Sequence, residues 1–178
     1  MYNRQKKIEN YFGGSVQMNI RPIQPSDNSA IEQVIRECLI EFGGNREGLA
    51  WADESMRDLY SYYNEADNRA YWIVEESGTV LGGCGIAPFA GSEQVCELQK
   101  MYLISATRGT GIAAELLQTA LAFAGQHYKQ CYLETLQTMG AANRFYNKHG
   151  FTALKEPFGG SEHFACDAWY IKDLFCFS

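Results

Sequence analysis

A short run of small residues, Thr107-Arg108-Gly109-Thr110-Gly111, separates an apolar strand from an apolar helix, and it constrains most of what surrounds it. Upstream, Leu98, Met101 and Leu103, with Tyr102 between them, suit a largely buried strand. Downstream, Ile112, Leu116, Leu117, Ala120, Leu121, Phe123 and Ala124 recur at helical spacing. A helix start offers backbone N–H groups without intrahelical partners, and the helix dipole places partial positive charge there. Gly109 and Gly111 let a large anion approach that backbone. Arg108 adds a planar, permanently charged fork suited to phosphate. The spacing therefore predicts a phosphate or pyrophosphate cradle at the N-terminus of a helix over residues 111–125, with a plain tight turn as the alternative for the two glycines.

Three cradles use such a turn. A Walker A loop needs Gly, four residues, then Gly-Lys-Ser/Thr, which this chain lacks. Gly109-Thr110-Gly111-Ile112-Ala113-Ala114 satisfies the dinucleotide pattern G-x-G-x-x-A, with Glu134 downstream. Against that, several residues separate the strand from Gly109, and the remaining chain holds too few βαβ units. The third is the acyl-coenzyme A loop, Arg/Gln-x-x-Gly-x-Gly/Ala, and Arg108-x-x-Gly111-x-Ala113 matches it in full. That loop is a signature of the GNAT acetyltransferases. Glu97-Leu98-x-x-Met101-Tyr102-Leu103 resembles the strand that precedes it in those enzymes. Ala142-Asn143-Arg144-Phe145-Tyr146-Asn147-Lys148-His149-Gly150-Phe151 resembles the family's second signature. Three motifs in order and spacing carry the resemblance, which covers the chain from Met18 and runs closest to small bacterial proteins.

Composition agrees. The 178 residues, 46% hydrophobic, allow one domain with a sizeable core. The net charge of −6, with no basic block, argues against nucleic acid as a partner. None of the six cysteines forms C-x-x-C or pairs with His at metal-ligand spacing, which points to buried thiols in a reducing cytoplasm and to no metal site. No apolar stretch is long enough to span a membrane.

Residues 1–17 are polar and end in Gly13-Gly14-Ser15, which reads as a flexible extension; residues 18–178 form the single domain. Residues 18–23 alternate and suit an edge strand, since Pro22 disfavours a central one. Ile31, Val34, Ile35, Cys38 and Leu39 mark a helix that Gly43-Gly44 ends. A second helix is predicted over about 53–64, with Met56, Leu59, Tyr60 and Tyr63 inward. Strands follow over 71–76, 80–89 and 97–103, then 130–135, a helix over 139–149, and a hairpin from Phe151 to Ile171. The order β-α-α-β-β-β-α-β-α-β-β is an α/β domain with a mixed central sheet flanked by helices, the GNAT fold that the resemblance implies. The apolar tail at 174–177 belongs to the core or to a homodimer interface.

The resemblance assigns roles by position. Acetyl-CoA is the implied co-substrate, held by backbone N–H groups from Gly109 through Thr110, Gly111 and Ile112 to Ala113, with Arg108 assisting and Asn143 on the pantetheine arm. A bulge in the central strand implies that a backbone N–H at Met101, Tyr102 or Leu103 donates to the thioester oxygen, a donor commonly worth about 3–4 kcal/mol in the transition state. Glu97 matches the family's strand carboxylate and is the candidate base. At an unperturbed pKa near ~4.3 it needs burial or a water relay. Tyr146 falls where a tyrosine protonates the leaving thiolate. Trp51, Asp53, Tyr60, Glu134 and His163 are candidates for the acceptor pocket. The implied reaction is direct acetyl transfer to an amine of a small molecule, an amino-acid-like compound or a protein. A non-catalytic acyl-CoA-binding module of the same fold is the second reading, and a nicotinamide-dinucleotide protein the third.

Overall fold

The computed structural model describes residues 8–9, 15–161 and 163–174. β1 (Ile8–Glu9) and β2 (Ser15–Val16) form a small antiparallel pair; most of the stretch read as a flexible extension lies outside the described residues. The domain then runs β3 (Met18–Pro22), α1 (Asn28–Glu41), α2 (Leu59–Asn64), β4 (Ala70–Glu76), β5 (Thr79–Pro88), β6 (Val95–Leu103), α3 (Ile112–His127), β7 (Gln130–Thr135), α4 (Gly140–Lys148), β8 (Thr152–Leu154) and β9 (Ala168–Asp173). Seven strands make one mixed sheet in the order β3-β4-β5-β6-β7-β9-β8. This is the expected order of elements. β3 lies at the sheet edge, where Pro22 costs no ladder bond. The one parallel pair is β6 with β7, so the doubly wound parallel sheet of a dinucleotide fold is excluded.

Strand alternation divides the core in two. Trp72 and Val74 of β4 face Ile112, Leu116, Leu117, Ala120 and Ala124 of α3. Tyr71 and Ile73 face Ile31, Val34 and Ile35 of α1 and Leu59 and Tyr63 of α2. Leu116 and Leu117 have no exposed surface, and burying each such side chain contributes about 1.5–3 kcal/mol. Cys38, Cys84, Cys96 and Cys131 are buried free thiols and Cys166 is half-buried. Leu174 packs against the α3 side of the core, and the rest of the apolar tail lies outside the described residues. No helix among the described residues is long and apolar enough to cross a membrane.

One helix differs from expectation. Residues 53–64 hold a 3₁₀ turn (Glu54–Arg57) followed by α2, rather than one continuous helix. Asp58 causes the break. Its carboxylate accepts from the backbone N–H and the hydroxyl of Ser61, at 3.0 and 2.7 Å, and from Asn28 at 2.7 Å. It caps a new helix where the periodicity implies an uninterrupted one.

Two features of the sheet build the site. β6 and β7 pair only at Val95–Gln130, Cys96–Cys131 and Glu97–Tyr132. Beyond Glu97 the strands part, β6 staying with β5 and β7 with β9. The β7-facing edge of residues 98–103 therefore has no partner strand. The second feature is a bulge: Gly85 opposes Gln99 and Gly83 opposes Tyr102, so Cys84 faces both Lys100 and Met101. Lys100 takes up the turn with a φ of 49°.

Candidate active site

The wedge between β6 and β7 is a channel lined by Leu98, Met101 and Tyr102 on one side and by Thr135, Leu136, Met139 and Tyr146 on the other. Glu97, Gln99, Lys100 and His163 stand at its inner end. The same four residues, with Leu49, border a second cavity of about 870 Å³, whose walls include Asp53, Tyr62, Arg69, Phe89, Ser161 and Phe164. Two spaces thus meet at one cluster of ionisable side chains. A donor entering by the channel and an acceptor entering by the larger cavity would face each other across it.

The glycine turn follows β6 in the chain and opens α3. Gly109 and Gly111 hold φ values of 80° and 92°, which glycine adopts without strain. The amides of Arg108 and Thr110 close turns onto Ser105 and Thr107, and those of Ala114 and Glu115 onto Gly111. The Ile112 amide donates to the Thr110 hydroxyl at 3.3 Å. The amides of Gly109, Gly111 and Ala113 have no acceptor among the described residues, and they sit at the positive end of the α3 dipole. Arg108 is half exposed, and its guanidinium donates to Glu41 at 2.5 Å.

Glu97 is 9% exposed. Loss of solvent pushes its carboxyl above the ordinary range, against the opposing pull of a hydrogen bond from Gln99 and the charge of His163. Gln99 Nε2 donates to Glu97 Oε2 at 2.6 Å, and the Tyr63 hydroxyl donates to Gln99 Oε1 at 2.8 Å. This chain fixes the carboxylate. It requires thin backbone beneath the Tyr63 ring: a Cβ on Gly85 would lie 2.4 Å from that ring.

Opposite Glu97, Glu134 is held by the Tyr132 hydroxyl at 2.7 Å and the Ser161 hydroxyl at 2.5 Å. His163 flanks the two carboxylates, with Nδ1 3.9 Å from Glu97 Oε1 and 3.8 Å from Glu134 Oε2. Its Nε2 is 3.1 Å from Asp53 Oδ1, and Lys100 Nζ donates to Asp53 Oδ2 at 2.5 Å. Burial lowers the His163 pKa, but the bond to Asp53 and the charges of Asp53 and Glu97 outweigh it, so the ring titrates above its ordinary value. Desolvation pushes Asp53 up; the hydrogen bond from His163 and the charge of Lys100 more than reverse this and hold it low. One ligand atom from each of Glu97, Glu134 and His163 falls within 4.8 Å of the others. The positive charge beside them comes from the Lys100 ammonium and the imidazole itself, so the group reads as an ion-pair network.

Tyr146 of α4 is 8% exposed and packs edge-on to Phe145 and Phe151. Burial raises its phenol pKa. Its hydroxyl makes no hydrogen bond with a described residue, and the residue lines the channel. Asn143 is occupied: its amide donates to Leu136 O and Gln137 O at 3.0 and 3.3 Å, and its oxygen accepts from Tyr170. It ties α4 to the end of β7.

The structure brings together Glu97, Glu134, Asp53, His163, Met101, Tyr102 and Tyr146, all of them candidates from the sequence. It does not bring Trp51 or Tyr60 to either cavity. Trp51 lies under the Arg36 guanidinium at 4.7 Å, and Tyr60 packs on the α1 side of the core. Tyr102 and Leu103 rejoin the β5 ladder opposite Gly83 and Gly82, so the bulge comprises Lys100 and Met101, one residue ahead of the 101–103 positions and overlapping them at Met101. The sequence reading passed over Lys100 and Gln99. The available signal was a lysine in the middle of a strand predicted to be largely buried, where an unpaired charge costs several kcal/mol.

The sequence model of the Acetyltransferase (GNAT) family matches residues 31–151. The uncharacterized N-acetyltransferase YjgM of Escherichia coli (strain K12) is 39% identical over 88% of this chain and 99% of its own length. An acetyltransferase structure from Staphylococcus aureus Mu50 superposes with a TM-score of 0.77 at 18% identity, covering 89% of this chain and 99% of that one. A Salmonella typhimurium protein, yncA, solved with acetyl-CoA, superposes with a TM-score of 0.68 at 19% identity over 89% and 94%. The two structures, at that identity, speak to the fold.

Proposed function

The chain belongs to the GNAT family and is an N-acetyltransferase, and from that premise we propose that it transfers acetyl from acetyl-CoA directly to a primary amine in a ternary complex. The observation that carries the reading is the junction of two cavities at Glu97, with Tyr146 and Glu134 lining the donor channel and Asp53 the larger cavity. The coenzyme pyrophosphate would sit on the free amides of Gly109, Gly111 and Ala113, with Arg108 released from Glu41 to assist. The pantetheine arm would follow the channel along the unpartnered edge of β6. Backbone N–H groups of that edge beside the bulge would meet the thioester oxygen, where a donor is commonly worth about 3–4 kcal/mol.

Transfer then needs a neutral amine. A lysine-like ammonium at pKa ~10.4 is about one part in a thousand neutral at pH 7, so a base must take its proton. Glu97, raised by desolvation and held by Gln99, suits that task better than an exposed carboxylate. The amine attacks the thioester carbon, and the tetrahedral oxyanion collapses and expels the thiolate; Tyr146 lends the thiolate a proton and recovers one from the N-protonated amide, so coenzyme A leaves as the thiol and the amide leaves neutral. Direct attack requires no acyl-enzyme, and Cys84, fully buried with its pKa raised by desolvation, is no nucleophile.

Thermal melting with coenzyme A, acetyl-CoA and NADH tests the donor. Saturating acetyl-CoA at about 100 times Kd should add ~2.7 kcal/mol, a rise of roughly 5–11 °C for a domain of this size. A rise with NADH and none with acetyl-CoA would overturn the reading. Thiol release from acetyl-CoA across a panel of small amines, amino acids and peptides then identifies the acceptor.

A further inference from the structure

Five ionisable groups converge where the two cavities meet: Asp53, Glu97, Glu134, Lys100 and His163. Fully ionised, they are three carboxylates against two cations, one negative charge in excess. The Lys100 side chain is 4% exposed and that of Glu134 is 1% exposed, so little solvent is available to screen the excess. One added proton brings the cluster to neutrality. The geometry shows where it matters. His163 Nδ1 stands 3.9 and 3.8 Å from Glu97 and Glu134, beyond hydrogen-bond reach of both. An imidazolium whose Nε2 is committed to Asp53 has one donor to offer that gap. A primary ammonium has three and can bond both carboxylates at once.

Resting on the N-acetyltransferase reading, we propose that the acceptor binds as a primary ammonium in the gap between Glu97 and Glu134, and that its arrival expels one proton from the Glu97–His163 pair. The exchange balances: R–NH3+ enters, one H+ leaves to solvent, and the cluster stays neutral. The acceptor's own charge thereby turns Glu97 into a carboxylate. In the next step Glu97 takes a proton from the bound ammonium, leaving R–NH2 with its lone pair free for the thioester. His163 is a positioning residue in this scheme: it holds the gap open and shares the exchangeable proton while the amine is absent. The proton belongs to the pair, whose members titrate together. The other groups facing His163 do not supply it. Asp53 is held ionised by Lys100 and His163, and the Cys166 thiol, pushed up to about 12 by burial, stays protonated.

The probe is ethylammonium, titrated into the protein saturated with coenzyme A, which gives the donor site its occupant without turnover. Calorimetry in phosphate and in tertiary-amine buffers (MES and HEPES), which carry no primary ammonium, from pH 5.5 to 8.5, reads the number of protons released. The expected number approaches one toward the acid end and falls as pH rises, with apparent affinity weakening up to tenfold per pH unit on the acid side. Tetramethylammonium, with equal charge and no N–H, should bind at least tenfold more weakly. In His163→Gln the remaining four groups, fully ionised, carry two negative charges, so ethylammonium should still bind above pH 6, and with no imidazole to share the exchangeable proton its release there should fall toward zero. A purely structural His163 would instead lose binding in that variant. No ethylammonium binding up to 0.2 M, no release in the wild type, or unchanged release in His163→Gln would each overturn the proposal. So would stoichiometric uptake of zinc that loses its proton release in His163→Gln, since the gap would then be a cation site. If coenzyme A itself fails to bind, the acetyltransferase reading of the site falls first and takes this proposal with it.

Discussion

Gly85→Ala should damage both stability and catalysis, for one geometric reason. The new Cβ would lie 2.4, 2.5 and 2.6 Å from Cζ, Cε1 and the hydroxyl of Tyr63. Non-bonded carbons settle at about 3.5–4.0 Å, so ring and strand must part by about 1 Å. Tyr63 is 1% exposed and has no space to retreat without disturbing Tyr71, whose ring centroid is 5.0 Å away. A move of that size takes the 2.8 Å bond from Tyr63 to Gln99 out of range. Overpacking costs about 1–3 kcal/mol, and a buried hydroxyl left unpaired about 1–3 more. Together they come to about 2–6 kcal/mol, or a melting point lower by roughly 4–24 °C at ~2–4 °C per kcal/mol. The catalytic effect follows from Gln99. Freed at one end, it no longer fixes Glu97, and a misplacement of about 1 Å is worth up to ~100-fold in rate. Gly159→Ala is the control, because nothing lies within 4 Å of its Cβ; it should stay within about 0.5 kcal/mol of wild type. In a Tyr63→Leu background Gly85→Ala should cost less than it does alone, since the clash is shared by the pair. Scanning fluorimetry and coenzyme A release measure both effects. A Gly85→Ala protein melting within 2 °C of wild type with unchanged kcat/KM refutes the argument.

Glu97→Gln keeps shape and hydrogen bonding but removes the base, and should lower kcat/KM by about 10²–10⁴-fold with little loss of acetyl-CoA binding. A base works only when ionised, and desolvation raises the Glu97 pKa, so the acid limb of the wild-type profile should lie above the ~4.3 of an ordinary glutamate and activity should fall as pH drops through it. A limb at or below pH 4.3 would remove Glu97 from the role. Tyr146→Phe leaves the packing against Phe145 and Phe151 intact and should melt within about 0.5 kcal/mol of wild type, while steady-state kcat falls without vanishing, because a thiol of pKa about 8.5 leaves fairly well unaided. Arg108→Ala should raise the KM for acetyl-CoA by about tenfold and spare kcat, as a charge-assisted phosphate contact of about 1.5 kcal/mol requires. Glu41→Gln, which frees Arg108 from its 2.5 Å partner, should move KM the other way.

The fold was legible in the sequence where one signal acts alone. The apolar stripe from Ile112 to Ala124 has no competitor, and α3 forms where it points. Pro22 marks a sheet edge because its missing N–H would cost a ladder bond within a central strand. The helix over 53–64 failed where two signals compete. Met56, Leu59 and Tyr63 keep helical spacing, but Asp58 offers Ser61 a cap, and the local hydrogen bonds win. Reading one helix there put Tyr60 on a continuous phase that the chain does not keep; Trp51, in the loop before it, was a candidate on the resemblance alone. Asp53 lies in extended backbone between a 3₁₀ turn at Ala50–Ala52 and the one at Glu54–Arg57, outside any helix, and reaches His163 and Lys100 from there.

The site itself was legible as residue types and not as a meeting. Asp53, Glu97, Glu134 and His163 were each singled out, yet Asp53 and His163 lie 110 residues apart, and nothing local in either segment announces the other. Lys100 was invisible for a sharper reason. Strict alternation from Glu97 and Gln99 puts residue 100 on the opposite face from both. The bulge adds one residue to β6, turns the backbone of Lys100 to positive φ, and carries its ammonium to Asp53. A non-glycine residue in that conformation costs about 1–2 kcal/mol, and a charge buried without a partner costs more. Both are offset only if the ion pair forms, so the bulge and Asp53 depend on each other. Asp53→Asn should therefore do more than remove a pocket residue. It leaves Lys100 buried beside a neutral amide, a loss of about 3–5 kcal/mol, and Lys100→Met on that background should restore part of it by removing the stranded charge. If the double variant is no more stable than Asp53→Asn alone, the ion pair does not hold the bulge, and the position of the strand edge beside the donor channel must come from Gly83 and Gly85 instead.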